Sequence, residues 1–458
     1  MKRFFIYLMM LVLSCITTSC EKDFLDKKPD NALLVPETLE DLRALLDNSN
    51  TVMNYAPFLS VFSTDDFYIT DNGFTSASSD VQNSYVWAEE IYLPTAAVTD
   101  WNRMYQQVFY ANVVLDGLKE LKTYPVSQAE EYKQVKGSAL FYRAFAFYNL
   151  AQQFAAPYKA STAGQTLGIP IRLLADVNLT STRGTLKQTY DQIIMDLEEA
   201  IDLLPVKAAF KTRPGKAAAL AMLARIYQTM EEYTLAEEYA TASLQLNSSL
   251  TDYNKLALTG ARPFPPALPD GNEEVLFYCI MVNSSLTSAL SGVSSELYSS
   301  YVSNDLRRAA YFTDKGNGLI NFKGSYTGTA NIFSGLAVDE VYLIRAECYA
   351  RAGQTGKAMQ DLNTLLQKRW KTGTFVPFSA QNPDDALRII LAERRKELVY
   401  RNLRWTDLRR LNQDPRFALT LTRVVKAQTY TLAPDDKRYV FPIPENVIAT
   451  SGIEQNPR

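Results

Sequence analysis

Few residue types in this sequence could carry out chemistry. No histidine occurs among the 458 residues, which excludes His-based metal sites, Ser-His triads and Cys-His dyads. The sequence also lacks Walker loops, GxSxG elbows, HExxH motifs and calcium-binding loops. A carboxylate pair for glycoside hydrolysis stays open, because its separation is a three-dimensional quantity. We therefore expect a protein that is not an enzyme, with no catalytic residue, cofactor or metal.

The adjacent acids Asp65 and Asp66 come nearest to a cation site. In a loop they could bind a cation or the hydroxyls of a sugar. Two neighbouring acids in a loop are, however, more commonly turn and cap residues. Both interpretations stay open at the level of sequence.

Aromatic side chains are the more promising ligand-binding groups, since the chain has 27 tyrosines. Flat rings pack against the C–H faces of pyranoses, and Asn, Asp and Arg at their edges bind hydroxyls. Each ring equally suits packing in a core. Two segments of irregular sequence carry the ligand-binding candidates. The first contributes Asp66, Phe74, Asn83, Tyr85, Trp87 and Tyr92, and the second contributes Tyr298, Tyr301, Asn304 and Tyr326.

The N-terminus carries a targeting signal. Two basic residues precede an apolar run, Phe4–Leu13, which is too short to span a bilayer. Small residues then lead to Cys20, an arrangement that resembles a bacterial lipoprotein box. We predict that residues 1–19 are a signal peptide and that Cys20 is lipidated. Ordinary secretory cleavage beside an incidental cysteine is the alternative.

Helical hairpins form the predicted scaffold, and the fold class is mainly α. Apolar positions recur at helical spacing from Val338 to Ala352, and Gly353 follows as a left-handed cap. A tetratricopeptide hairpin needs Ala where two helix backbones approach and Tyr in the gap between them. Two copies of this pattern occur: Ala224, Tyr227 and Ala236, and Ala346, Tyr349 and Ala358.

A third helix is predicted to begin at Asn382 and to continue through Asn402 into the segment 404–412. Its charged residues, from Glu393 to Arg410, alternate in sign, and we interpret them as intramolecular ion pairs.

Trp101 and Trp405 are assigned to the core. The thiols of Cys279 and Cys348 are expected to be buried as small hydrophobes rather than paired.

The rest of the chain is less regular. Between Tyr55 and Leu93 we predict long surface loops, and from Ser248 to Leu336 we predict a large loop-rich insertion. The resulting division is an N-terminal part, 20–336, with the ligand face, and a C-terminal part, 337–458, with the last hairpin.

A formal net charge of -3 argues against nucleic acid as a partner.

Several separated blocks make the chain resemble the SusD-like (RagB/SusD) family of outer-membrane nutrient-binding lipoproteins of Bacteroidetes. They run in order along nearly the whole chain, which makes them more specific together than singly. The matching blocks are Cys20–Asp26, Trp101–Leu118, Arg143–Leu150, Arg394–Arg410, Phe441–Pro444 and Gln455–Pro457.

The resemblance implies a tetratricopeptide-like scaffold whose loops form a ligand face. It also implies a lipid-anchored protein on the cell outer membrane, facing the exterior, with a TonB-dependent (SusC-like) transporter as its partner. The usual ligands of such proteins are oligosaccharides and, in some members, peptides. Peptide capture and a pure assembly adaptor are the alternatives to oligosaccharide binding.

Overall fold

Long helices build the scaffold because apolar residues recur along them at helical spacing. The structure is a computed structural model and describes residues 36–121, 124–316 and 318–458. The predicted signal peptide and Cys20 lie outside these residues. The α-helices are α1 (Leu39–Leu46), α2 (Leu59–Phe62), α3 (Asp71–Ser76), α4 (Ser79–Tyr85), α5 (Thr99–Glu120), α6 (Ala129–Phe154), α7 (Leu186–Leu203), α8 (Lys216–Thr229), α9 (Tyr233–Leu246), α10 (Ser295–Ser299), α11 (Arg307–Tyr311), α12 (Val338–Arg351), α13 (Thr355–Gln367), α14 (Pro383–Glu397), α15 (Arg404–Leu411) and α16 (Glu445–Ser451).

Short strands join the segments between the helices, and all their pairings are antiparallel. The strands are β1 (Phe67–Ile69), β2 (Leu167–Pro170), β3 (Arg183–Thr185), β4 (Val275–Phe277), β5 (Ile280–Met281), β6 (Ser291–Val293), β7 (Phe312–Asp314), β8 (Ile320–Phe322), β9 (Ile332–Phe333), β10 (Leu336–Ala337), β11 (Leu421–Val425) and β12 (Gln428–Leu432). They pair as β1–β6, β10–β4, β11–β12, β2–β3, β5–β9 and β7–β8. Residues Thr38–Arg458 form one compact unit.

The two predicted helical hairpins are confirmed as α8–α9 and α12–α13. Tyr227 stacks on Tyr239 across the first hairpin, with ring centroids 5.4 Å apart. Gly353 follows α12, in the turn of the second hairpin, and has φ of +76°, as a left-handed cap requires. The four alanines of the pattern are fully buried where the helices approach: Ala224, Ala236, Ala346 and Ala358.

The predictions for four single residues are also confirmed. Trp101 and Trp405 are buried, with 5% and 2% of their surface exposed. Cys279 and Cys348 are buried free thiols.

The prediction of one continuous helix from 382 to 412 is wrong. Asn382 does cap α14, since its side chain accepts a hydrogen bond from the backbone N–H of Asp385. The helix ends at Glu397, and α15 begins only at Arg404. Tyr400 and Asn402 between them have φ of +57° and +61°, a conformation that a right-handed helix cannot contain. The break lets Tyr400 donate a hydrogen bond to the carbonyl of Gly292, in the insertion.

The segment from Tyr55 to Leu93 is not a set of surface loops, as predicted from its composition. It forms α2, β1, α3 and α4. Its aromatic residues are largely buried because they pack edge to face, as Phe62 does against Phe67 at 4.9 Å. The segment contains only short helices and one short strand, but its buried side chains belong to the core.

A buried network of ion pairs joins the insertion to the last helices and confirms the interpretation of the charges in α14 and α15. Arg307 pairs with Asp305, Glu393 and Glu397. Arg369 bridges Glu397 and Glu274. Both arginines are completely buried. We call these residues the central network. Further buried pairs surround it: Arg394–Asp407, Arg410–Glu347, Arg401–Asp339 and Arg225–Glu340.

Removing the centre of this network is expected to destabilise the fold strongly. Arg307→Met removes one of the two cations that contact each of three buried carboxylates, since Lys396 stays beside Asp305 and Glu393 and Arg369 stays beside Glu397. Breaking buried pairs in this way costs about 3–5 kcal/mol of the free energy of unfolding. Urea unfolding of the two proteins measures the loss. The matched control is Arg416→Met, because Arg416 pairs with Asp384 and Asp414 at the surface and such pairs are worth less than about 1 kcal/mol. Equal losses in the two variants would contradict this account.

Asp100 gives a pH-dependent prediction. Its carboxylate, near the start of α5, accepts hydrogen bonds from the N–H groups of Phe58 and Leu59 and from the amide of Gln153. Burial nevertheless raises the pKa of Asp100 from 3.8 to about 6. From pH 4 to 6 the carboxyl of Asp100 therefore keeps its proton in the folded state but releases it in the unfolded chain. The contribution of Asp100 to the free energy of unfolding falls as pH rises through this range.

Comparison with Asp100→Asn isolates this contribution, since the amide does not titrate. In urea unfolding at pH 4 and pH 7, the stability of the natural protein relative to the variant should fall by up to about 3 kcal/mol at the higher pH. A difference that is the same at both pH values would show that Asp100 ionises with an ordinary pKa.

Candidate ligand-binding face

The two segments that carry the predicted ligand residues meet through one pair of strands. Strand β1 from the first segment pairs with β6 from the insertion, with Phe67 opposite Val293 and Ile69 opposite Ser291. Strand β8 in turn packs beside β6. We call the surface formed by β1, α3, β6, α10, β7 and β8 the loop face. The two segments therefore lie side by side in this surface.

Tyr68 is the most exposed aromatic ring of the loop face. Strand alternation turns its neighbours Phe67 and Ile69 into the core and leaves 43% of Tyr68 exposed. Its cross-strand partner is Gly292, where a Cβ would lie 2.5 Å from the carbonyl oxygen of Ile320. The backbone of β8 thus lies where the side chain of a cross-strand partner would stand. The sequence analysis missed Tyr68, although the alternation Phe-Tyr-Ile was a usable signal.

Three of the predicted residues keep part of their surface exposed. Tyr298 is half-buried against Phe312, and the guanidinium of Arg308 lies 4.7 Å from its ring centroid. Phe74 is half-buried beside Tyr85. Asn83 is half-buried and donates its amide hydrogen to the carbonyl of Ile91. Tyr298 with Arg308 thus presents a ring beside a cationic hydrogen-bond donor. Tyr92 and Asn304, from the wider sets, are also half-buried.

Trp87 and Tyr85 are core residues rather than exposed platforms. The indole of Trp87 donates to the carbonyl of Ser63, and only 2% of the residue is exposed. Arg423 from β11 lies 3.9 Å from the ring centroid of Tyr85 and 4.5 Å from that of Trp87. Its guanidinium also donates to the backbone carbonyls of the first segment, and burial lowers the pKa of Arg423 to about 10. Neither ring offers a free face to a ligand.

Tyr301 and Tyr326 are likewise buried, with 1% and 2% of their surface exposed. The hydroxyl of Tyr301 donates to the carbonyl of Lys396 at 2.7 Å. The hydroxyl of Tyr326 donates to the carboxylate of Glu274 at 2.9 Å. Both phenols therefore support the central network, and the structure gives no support to the prediction that they contact a ligand.

Asp65 and Asp66 serve a third role that the sequence analysis did not consider. Both carboxylates pair with arginines of the last helices: Asp65 with Arg404 and Arg395, and Asp66 with Arg395. Burial raises the pKa of Asp66 against the opposing effect of Arg395. For Asp65, burial is outweighed by Arg404, which lowers its pKa. These acids tie the first segment to α14 and α15 and are not free for a cation or a sugar.

Comparison with known proteins fits this architecture. A SusD-like family model, described as starch-binding and associating with the outer membrane, matches residues 23–228. The SusD family model matches residues 338–458. The chain belongs to the SusD family. Proteins of this family are associated with the outer membrane. No curated protein sequence matches the chain.

Solved structures share the fold of this SusD-family chain at low sequence identity. A SusD superfamily protein from Bacteroides thetaiotaomicron is 21% identical with a TM-score of 0.74, covering 92% of this chain and 100% of its own. A SusD-like carbohydrate binding protein from Bacteroides vulgatus is 18% identical with a TM-score of 0.68, covering 91% and 97%. A laminarin binding SusD-like protein is 17% identical with a TM-score of 0.65, covering 91% and 97%.

Within residues 36–121, 124–316 and 318–458, no group of three or more Cys, Asp or Glu side chains is arranged to hold a metal ion. Over the same residues, no helix has both the length and the apolar content needed to cross a bilayer.

Arg423 is expected to hold the first segment of the loop face in place. Arg423→Met removes the donors to Phe62, Thr64 and Tyr85 and leaves buried carbonyls unsatisfied. Amide hydrogen exchange of residues 62–87 should therefore become faster, while the hairpin α8–α9 keeps its protection. Unchanged exchange in this segment would show that other contacts hold it.

Proposed function

We propose that this protein binds an oligosaccharide at the loop face and delivers it to a TonB-dependent transporter in the outer membrane. The mechanism is reversible binding without bond chemistry. The observation that carries the proposal is the exposed ring of Tyr68 on a face to which both irregular segments contribute. Relatives that bind carbohydrate or laminarin and share the fold support a glycan as the ligand.

The chemistry of the loop face suits a sugar. The ring of Tyr68 offers an apolar surface to the C–H face of a pyranose, and Tyr298 offers a second, partly covered ring. The exposed guanidinium of Arg308 beside Tyr298 supplies donors to ring hydroxyls. The polar start of α3, with Asp71 and Asn72 exposed, adds acceptors and donors next to Tyr68. Flat rings with polar edges are what oligosaccharide recognition requires.

Placement at the membrane rests on sequence and family. The lipoprotein box at Cys20 supplies an acyl anchor, and a multiply acylated terminus binds a membrane stably. The family's association with the outer membrane supports this site of action. A SusC-like transporter as the receiving partner follows from the resemblance to the family.

Calorimetric titration tests the proposal directly. The purified full chain is titrated with a panel of neutral plant and host oligosaccharides and with a peptide digest. Tyr68→Ala should weaken binding of the glycan ligand about tenfold, and Tyr298→Ala should weaken it by a smaller factor, because each removes a stacking surface. Both positions are partly exposed, so the fold should survive.

Tyr124→Ala is the matched control, since Tyr124 is 40% exposed and stacks on Tyr132 away from the loop face. It should leave the affinity unchanged. Glycan binding that tolerates loss of both Tyr68 and Tyr298 would remove the loop face from the proposal. Binding of peptides alone would make peptide capture the function, and no binding of either class would favour an assembly adaptor.

A further inference from the structure

A separate cleft of about 520 Å³ lies between α5, the segment 171–182 that follows β2, and α16. A volume of several hundred Å³ is typical of small-molecule sites. None of its lining residues belongs to the loop face. The cleft is therefore a second candidate site with its own chemistry.

Aromatic rings form one wall of this cleft. Trp101, Tyr105 and Phe109 follow each other at four-residue spacing along α5, which places them about 6 Å apart along the helix axis. Tyr105 donates its hydroxyl to the carbonyl of Pro170 at 2.8 Å, so its ring orientation is fixed. Phe109 is 37% exposed. The wall is preformed and partly open, as a stacking surface must be.

Arg172 provides a fixed cation in the cleft. Its guanidinium donates to the carbonyl of Asp176 at 2.6 Å and to the hydroxyl of Ser181 at 3.1 Å, with a longer contact to the carbonyl of Leu179. A guanidinium has five N–H donors, so these acceptors hold it in place without using all of its donors. No carboxylate pairs with Arg172 in the part of the chain that the structure describes.

The charge in the cleft is unbalanced. Its lining includes Arg172 but no Asp or Glu. The nearest acid along the chain, Asp176, uses its carboxylate to accept hydrogen bonds from Asn178. Glu454, beyond α16, contributes its carbonyl to Arg183 and its side chain does not line the cleft. An occupant with one negative charge would complement this surface.

We propose that this cleft is a second saccharide site, selective for a sugar residue that carries a carboxylate, such as a hexuronic acid. The C–H face of the sugar stacks on Phe109 and Tyr105. The carboxylate takes the unused donors of Arg172 in a charge-assisted hydrogen bond. Asn178 and Thr450, which also line the cleft, reach the ring hydroxyls. The inference does not depend on binding at the loop face.

Titration of the full chain with galacturonic acid trisaccharide and with the neutral galactose trisaccharide tests this assignment. The acidic sugar should bind at least tenfold more tightly. Arg172→Gln should reduce its affinity about tenfold to hundredfold, to the level of the neutral sugar, because a charged hydrogen bond is lost. Phe109→Ala should weaken both sugars several-fold and leaves the buried core intact. Thermal unfolding of each variant confirms that it is folded.

Matched controls separate the cleft from general charge and surface effects. Arg388→Gln removes an exposed arginine on α14, and Phe210→Ala removes an exposed phenylalanine in the connection between α7 and α8. Neither should change the affinity for the acidic sugar. Tyr68→Ala should also leave it unchanged, which keeps this site distinct from the loop face.

Three outcomes would overturn the inference. Equal affinity for the acidic and neutral trisaccharides would remove the selectivity. An acidic peptide that binds the cleft as tightly as the acidic sugar would remove the saccharide assignment. Acidic-sugar binding that is lost in Tyr68→Ala but kept in Arg172→Gln and Phe109→Ala would move the sugar to the loop face. That last result would leave the proposed function intact.

Discussion

The arrangement of this protein depends on a buried network of ion pairs between the insertion and the last helices. Glu397 of α14 accepts from Arg307 and from Arg369, and Arg369 continues to Glu274. Burial of an ion costs several kcal/mol, which only good geometry and further hydrogen bonds offset. Here the arginines use almost all of their donors, and Tyr326 adds a hydroxyl to Glu274. The network fixes where a loop-rich insertion without a helical pattern must sit.

The loop face follows from this constraint. Arg395 and Arg404 extend the charged helices to Asp65 and Asp66, and Arg423 clamps the same segment from the other side. The segment that precedes β1 is thereby held against α14, which lets β1 pair with β6 of the insertion. Tyr68 is exposed as a consequence, because its neighbours in the strand are drawn into the core. Arginines with structural roles thus position the loop face.

Sequence patterns predicted the parts of this fold that depend on local spacing. The alanine and tyrosine pattern identified both hairpins, and alternating charge identified the ion pairs of α14 and α15. Contacts between distant segments left no local pattern: Arg395 and Asp66 are 329 residues apart. For this reason the aromatic residues near Trp87 were assigned to loops although they fill the core. Tyr400 adopts a left-handed backbone conformation within the predicted continuous helix. A tyrosine has no preference for this conformation, so tertiary contacts impose it.

Hydrogen exchange of the full chain, with and without a saturating neutral oligosaccharide, tests the central claim most directly. On this proposal the ligand binds where the first segment and the insertion meet. Exchange should therefore slow in residues 67–76 and 291–322, while the hairpins α8–α9 and α12–α13 exchange as before. Slower exchange confined to the hairpins, with residues 67–76 unchanged, would place the ligand on the helical scaffold and contradict this account.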